Sequence, residues 1–181
     1  MYLDNYRTDD YHPGASNFKQ ILWFFIGDFL VQTPLIPLAR FKVFILRLFG
    51  AQIGQGVNIK PQVKIKFPWR LIIKDYVWLG EKCWIDNLAP VTIESHVCIS
   101  QAVYLCTGNH DWSDRNFKLI TKEIYIEEGS WIGASAIIAP GVRVGKGAVL
   151  TLGSVAVNTL TPMTIYTGNP AQPVKIRKLI Q

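Results

Sequence analysis

A chain of 181 residues, 49% of them hydrophobic, has the size of one domain plus an extension. Its net charge of +6, from 19 Lys and Arg against 13 Asp and Glu, favours anionic ligands. The basic residues are scattered and form no nucleic-acid motif, so nucleic acid is excluded as a partner. Three cysteines (Cys83, Cys98 and Cys106) without a Cys-x-x-Cys spacing exclude a disulfide or zinc framework. They are read as buried structural thiols and fit a reducing cytoplasm.

In chain order, Met1-Tyr2-Leu3-Asp4 lacks the basic and apolar regions of a secretory signal. Residues 17–49 are rich in apolar and aromatic types, among them Ile21, Trp23, Phe24, Phe25 and Phe29. Asp28 breaks the run and Pro34 and Pro37 interrupt, so the uninterrupted stretch is about half of a membrane span. The pattern predicts two helices, roughly 17–32 and 37–49, within an extension covering residues 1–50. Arg40, Lys42 and Arg47 decorate the second. Two roles are open: a cap for the repeat that follows, or an element lying on a membrane surface.

From Ile53 a large aliphatic residue returns every sixth position. Four blocks hold Ile53, Ile59 and Ile65; Ile73, Leu79 and Ile85; Ile93, Ile99 and Leu105; and Ile126, Ile132, Ile138, Val144, Leu150 and Ala156. A period of six fits neither a helix nor simple strand alternation, and it marks a parallel β-helix. Three hexads make one triangular coil, so Ile126 stacks on Val144 and Ile132 on Leu150. The fourth residue after each aliphatic is mostly small or β-branched, as at Val57, Ala136 and Ser154, which suits an inner corner. The fold class is therefore mainly β: a parallel β-helix of about five coils over residues 51–166, with an N-terminal α-helical extension and a short C-terminal segment, 167–181.

The block spacing breaks once. About fifteen extra residues fall near 108–123, and a long loop on a compact repeat is commonly functional. That insert opens with Thr107-Gly108-Asn109-His110-Asp111. Of three histidines, His12 lies in a polar N-terminal segment and His96 on a repeat corner, while His110 begins the excursion. A loop histidine on a rigid scaffold suits a general base. Asp111 either contacts an acceptor or shapes the turn.

The repeat, the Thr107–Asp111 segment, Trp131-Ile132-Gly133-Ala134 and the closing Gly168-Asn169-Pro170-Ala171 together resemble the hexapeptide-repeat acyltransferases, above all the colanic-acid-biosynthesis type of acetyltransferase. The resemblance spans nearly the whole chain. It implies a left-handed β-helix, a homotrimer with sites between neighbours, and acetyl-CoA as co-substrate with no metal. It further implies that Trp131 and Gly133 shape the cofactor cleft. Backbone near Ala134, Leu152 and Gly153 would hold the pantetheine arm, and Asn169 and Pro170 would lie at the adenine end. Arg177 and Lys178 pair with CoA phosphates on this reading, or form a solvated tail. Asn87 corresponds to an acceptor-side asparagine, or is a corner residue. The implied reaction is O-acetyl transfer to a saccharide or lipid-linked saccharide, in the cytoplasm or at the inner face of its membrane. A zinc hydratase on the same fold needs several histidine ligands, and the insert carries one. Acetyl transfer to another small hydroxyl or amine acceptor and a non-catalytic scaffold are the remaining alternatives.

Overall fold

The computed structural model describes residues 3–8 and 11–179. Five complete coils stack in register. The first is Gln52–Ile53, Asn58–Ile59 and Lys64–Ile65; the second Leu71–Ile73, Trp78–Leu79 and Trp84–Asp86; the third Val91–Ile93, Cys98–Ile99 and Tyr104–Cys106. The fourth is Ile124–Ile126, Trp131–Ile132 and Ile137–Ile138, and the fifth Arg143–Val144, Val149–Leu150 and Val155–Ala156. Each coil gives one strand to each of three parallel faces, named first, second and third in chain order. A partial sixth coil follows. Leu160 bridges to Val144, and Thr164–Gly168 extends the second face. Ala171–Ile176 then folds back antiparallel on that strand. The repeat thus runs past residue 166, and the expected boundary falls inside a strand.

All fifteen sixth-position residues are buried, none more than 8% exposed. The pairs Ile126–Val144 and Ile132–Leu150 are register partners, as the period requires. Val57, Ala136, Ser154 and the other corner residues of their class are buried too. The chain therefore has one narrow apolar column, in which each side chain packs on its equivalent one coil away. Corners demand left-handed backbone, supplied by Gly141 and Gly147 but also by Gln62, Tyr76, His96 and Ser135. Gly133 is fixed by a different constraint. A Cβ there would lie 2.5 Å from the backbone nitrogen of Leu152 in the next coil. Of the cysteines only Cys83 is buried; Cys98 and Cys106 are half-buried. Each of those two sits beside an inward aliphatic, and strand alternation turns it outward.

The predicted helices form at the N-terminal end. Helix 17–32 runs as Asn17–Leu22, a π-wound stretch Trp23–Gly27, and Asp28–Gln32; the second spans Ala39–Leu48. The Ser16 hydroxyl caps the first by accepting from Lys19 N. Gly27 lets the Trp23 indole lie against the helix, since a Cβ would come within 2.3 Å of the ring. The expected capping role is visible in hydrogen bonds to the first coil. Arg47 donates to the carbonyls of Ile53 and Gly54, Lys42 Nζ to Lys60 O, and Trp23 Nε1 to Ile65 O. Gln62 N donates in turn to Gln32 O. The first coil would otherwise leave these groups unpaired at a sheet edge.

Candidate active site

The insert is a β-hairpin. Gly108–His110 pairs antiparallel with Leu119–Thr121, and His110 lies opposite Leu119. It springs from the corner between the third and first faces. Thr107 anchors its root: the fully buried hydroxyl donates to Asp86 O at 2.8 Å and accepts from Ala89 N at 3.0 Å. In the turn, Asp111 Oδ1 accepts from the Ser113 N–H and hydroxyl. Those bonds hold the Asp111 carboxyl below its ordinary value, and they show it shaping the turn. Asp111 nonetheless stays on the wall of the groove beside His110.

His110 is oriented from one side. Its Nδ1 lies 2.8 Å from the carbonyl oxygen of Phe117. A carbonyl only accepts, so Nδ1 carries a proton, and in the neutral imidazole Nε2 keeps the lone pair. The Phe117 ring stacks on the imidazole at 4.1 Å and 3°, and Tyr6 approaches it at 5.6 Å with a 59° tilt. The imidazole lines an open groove of about 470 Å³ with Asn109, Trp112, Lys122, Pro140 and Val157. The Val157 N–H has no acceptor among the described residues, because no sixth strand follows on the third face.

The resemblance-derived donor residues lie elsewhere on the same chain. Trp131 is half exposed on the second face and donates from Nε1 to Ser100 Oγ at 2.9 Å. Gly133, Ala134, Leu152 and Gly153 occupy the corner between the second and third faces. There the N–H groups of Ala134 and Leu152 make no hydrogen bond to a described residue, nor do those of Glu81 and Gln101 in earlier coils. From the second coil to the fifth the turn leaves one such donor per coil, stacked in a row; the first coil has Pro61 at this place. Leu152 stands 78% exposed, and nothing lies within 4 Å of a Cβ at Gly153. This open, donor-lined edge fits a chain of amide and carbonyl groups such as a pantetheine arm. Four residues, among them the third-face strand Ile137–Ile138, separate Ala134 from Ala139, a span of at most about 17 Å. Within one chain, then, the histidine groove and the donor row occupy opposite edges of one face.

Two expectations meet competing contacts. Asn87 is fully buried, and its amide serves the backbone of Phe67: Oδ1 accepts from Phe67 N at 2.9 Å and Nδ2 donates to Phe67 O at 2.7 Å. That is the corner role. Arg177 Nη1 donates to Gly129 O and Gly147 O, both at 2.9 Å. Its guanidinium pins the returning strand, while Lys178 stays exposed. Asn169 and Pro170 form the turn between the last two strands. Sequence reasoning missed Phe117; its left-handed φ of 54° turns the carbonyl toward His110. It also missed Tyr6.

No family model matches the chain. An Escherichia coli protein named as a colanic acid biosynthesis acetyltransferase is 37% identical over 164 residues, covering 91% of this chain and 90% of its own length. A Lactococcus lactis galactoside O-acetyltransferase is 31% identical over 70% of this chain and 63% of its own. Among solved structures, a hexapeptide-repeat acetyltransferase of Vibrio cholerae in complex with acetyl-CoA superposes with a TM-score of 0.81 at 23% identity, over 91% of this chain and 92% of that one. At that identity the superposition speaks for the fold alone. Near-full-length identity to the Escherichia coli protein, together with the hexad column and its single histidine hairpin, shows that this chain belongs to the hexapeptide-repeat acetyltransferases of the colanic-acid-biosynthesis type.

Proposed function

We propose that the protein moves the acetyl group of acetyl-CoA to a hydroxyl of a saccharide, free or lipid-linked, with His110 as general base. The observation that carries this is the Phe117 carbonyl on His110 Nδ1, which gives the neutral imidazole of this groove-lining residue its lone pair at Nε2. In the reaction, the acceptor oxygen attacks the thioester carbonyl carbon while Nε2 takes its proton. The tetrahedral oxyanion is stabilised by a coil-wall N–H, and Val157 lines the same groove with an uncommitted one. Collapse expels the CoA thiolate, which recovers the proton from the imidazolium. No covalent enzyme intermediate is formed. The saccharide acceptor is supported by the family and by the galactoside-acetylating relative.

The working unit on this reading is a homotrimer in the cytoplasm. The donor row with Trp131 and the His110 groove lie on opposite edges of one chain, and a cyclic neighbour brings one chain's row to another's histidine. Gly133, Ala134, Leu152 and Gly153 would bind the pantetheine arm, with Asn169, Pro170 and Lys178 toward the nucleotide. Asn87 and Asp111 would act on the acceptor side by positioning the coil and the hairpin.

Subunit mixing tests both parts. His110→Ala and Trp131→Ala are each expected to be impaired, and mixed trimers to regain a fraction of the parent rate. Mixed trimers that stay inactive place donor and histidine in one chain. A fully active His110→Ala enzyme removes the base altogether.

A further inference from the structure

The N-terminal helices have two apolar sides. Trp23, Gly27 and Val31, four residues apart, are buried against the first coil. Phe18, Leu22, Phe25 and Phe29 recur at spacings of four, three and four, which sets them in a second stripe, and all four are exposed. Leu35 and Leu38 in the following turn, and Phe44 and Leu48 on the second helix, are each at least 60% exposed. Phe18, Phe24, Phe25, Phe29 and Phe44 together expose roughly 700 Å², and Phe24 and Phe25 also line a groove with Phe67 and Trp84 of the coil; apolar exposure on this scale marks an interaction site.

We propose that this outer side docks on the surface of an anionic lipid bilayer. Shape selects lipid over a protein partner. Leu35 projects from the turn between Pro34 and Pro37 and Leu38 from the residue that follows it, and projecting apolar side chains sink into fluid hydrocarbon without a matching socket. Charge agrees. Of the basic residues in segment 17–50, Arg40 and Arg47 are exposed, Lys19 is half-buried over Trp69 and Lys42 is buried against the coil; Asp28 is the segment's one acid. The Asp28 carboxylate is half-buried and accepts from Gln32 at 2.6 Å, so it does not oppose an anionic surface. Basic residues beside an apolar face are the signature of a surface-lying element. Docking at the surface also fits the helix lengths, since no described helix is long and apolar enough to cross a membrane. The inner stripe meanwhile keeps the helices tied to the coil.

The consequence deepens the proposed reaction and in that respect rests on it. The His110 hairpin leaves the third coil, two steps of about 4.8 Å from the first. With a helix layer of about 10 Å, the root of the hairpin stands roughly 20 Å above the apolar surface, and the groove reaches farther out to Pro140 and Val157 of the later coils. That height suits a saccharide carried on a lipid headgroup.

The test needs no substrate, so it is independent of the catalytic reading. Full-length protein is sedimented with vesicles of phosphatidylglycerol and phosphatidylcholine. Binding is expected on the mixed vesicles, severalfold weaker at 0.5 M NaCl or on phosphatidylcholine alone. The triple variant Phe18→Ser, Phe29→Ser, Leu35→Ser should bind at least tenfold more weakly, with unchanged melting temperature and oligomeric mass. His110→Ala should bind like the parent. Parent protein that stays in the supernatant with both vesicle types overturns the proposal. A triple variant whose oligomeric mass falls overturns it as well, because the face is then a contact between copies.

Discussion

Replacing His110 by Ala removes the proposed base without touching the column, since the hairpin stands outside the repeat. A positioned general base is worth about 10²–10⁴ in rate, or roughly 3–5 kcal/mol at 1.36 kcal/mol per decade. Phe117→Ala makes the comparison informative. It keeps the backbone carbonyl that holds Nδ1 and removes only the ring stacked at 4.1 Å. Such a contact is worth about 0.5–1.5 kcal/mol, which sets a ceiling near a tenfold loss. His110→Asn should resemble Ala, because Asn hydrogen-bonds a hydroxyl but does not take its proton. The assay is single-turnover acetyl transfer at saturating acetyl-CoA, with donor affinity measured separately. Expected are a loss of at least a hundredfold for Ala and Asn, a loss of up to tenfold for Phe117→Ala, and donor affinity unchanged in all three. A His110→Ala rate within tenfold of the parent refutes the mechanism. Equal losses in His110→Ala and Phe117→Ala refute the idea that the carbonyl alone sets the tautomer.

Ile132→Ala should cost about 4 kcal/mol, the upper part of the usual range, because backbone pairing to coils on both sides prevents collapse around the void; a urea midpoint shift equivalent to under 1 kcal/mol would contradict the register. Arg47→Met strips donors from the carbonyls of Ile53 and Gly54 and should cost about 1–3 kcal/mol, again read by urea unfolding. Burial raises the Cys83 thiol to about 11, so the folded state holds this proton more tightly than the unfolded one. Its contribution is therefore complete below the unfolded thiol value near 9 and is lost as pH rises toward 11; Cys83→Ser should flatten melting temperature against pH across that window. Arg177→Ala should lower the melting temperature by releasing the last strand, whereas Lys178→Ala should leave it unchanged and weaken acetyl-CoA binding at low salt; equal melting losses would assign both to the fold.

Much of this molecule was legible because a stacked coil converts sequence spacing directly into space. Ile132 and Leu150 are eighteen residues apart and touch because the period says so. The hairpin was legible as the one place where that period fails. What stayed hidden depends on side-chain direction at corners and in turns, which spacing does not encode. Asn87 turns inward onto Phe67, and the Phe117 carbonyl meets His110 through a single left-handed residue. Arg177 reaches two carbonyls because residues 171–176 fold back as a strand. The half-exposure of Cys98 and Cys106 follows from alternation beside an inward neighbour, a rule stronger than the general preference of thiols for the interior.

The donors that Trp23, Lys42 and Arg47 present to the first coil have a consequence for assembly. A parallel column of identical rungs is the same object as a short length of fibril, and nothing in its interior sets its length. Growth stops where the next rung finds its hydrogen bonds already taken. Here the stop is written into side chains of a helix pair at one end and a reversed strand at the other. The chain is in this sense a filament stopped by its own covalent continuation, across the first coil by the helix pair and on the second face by the reversed strand.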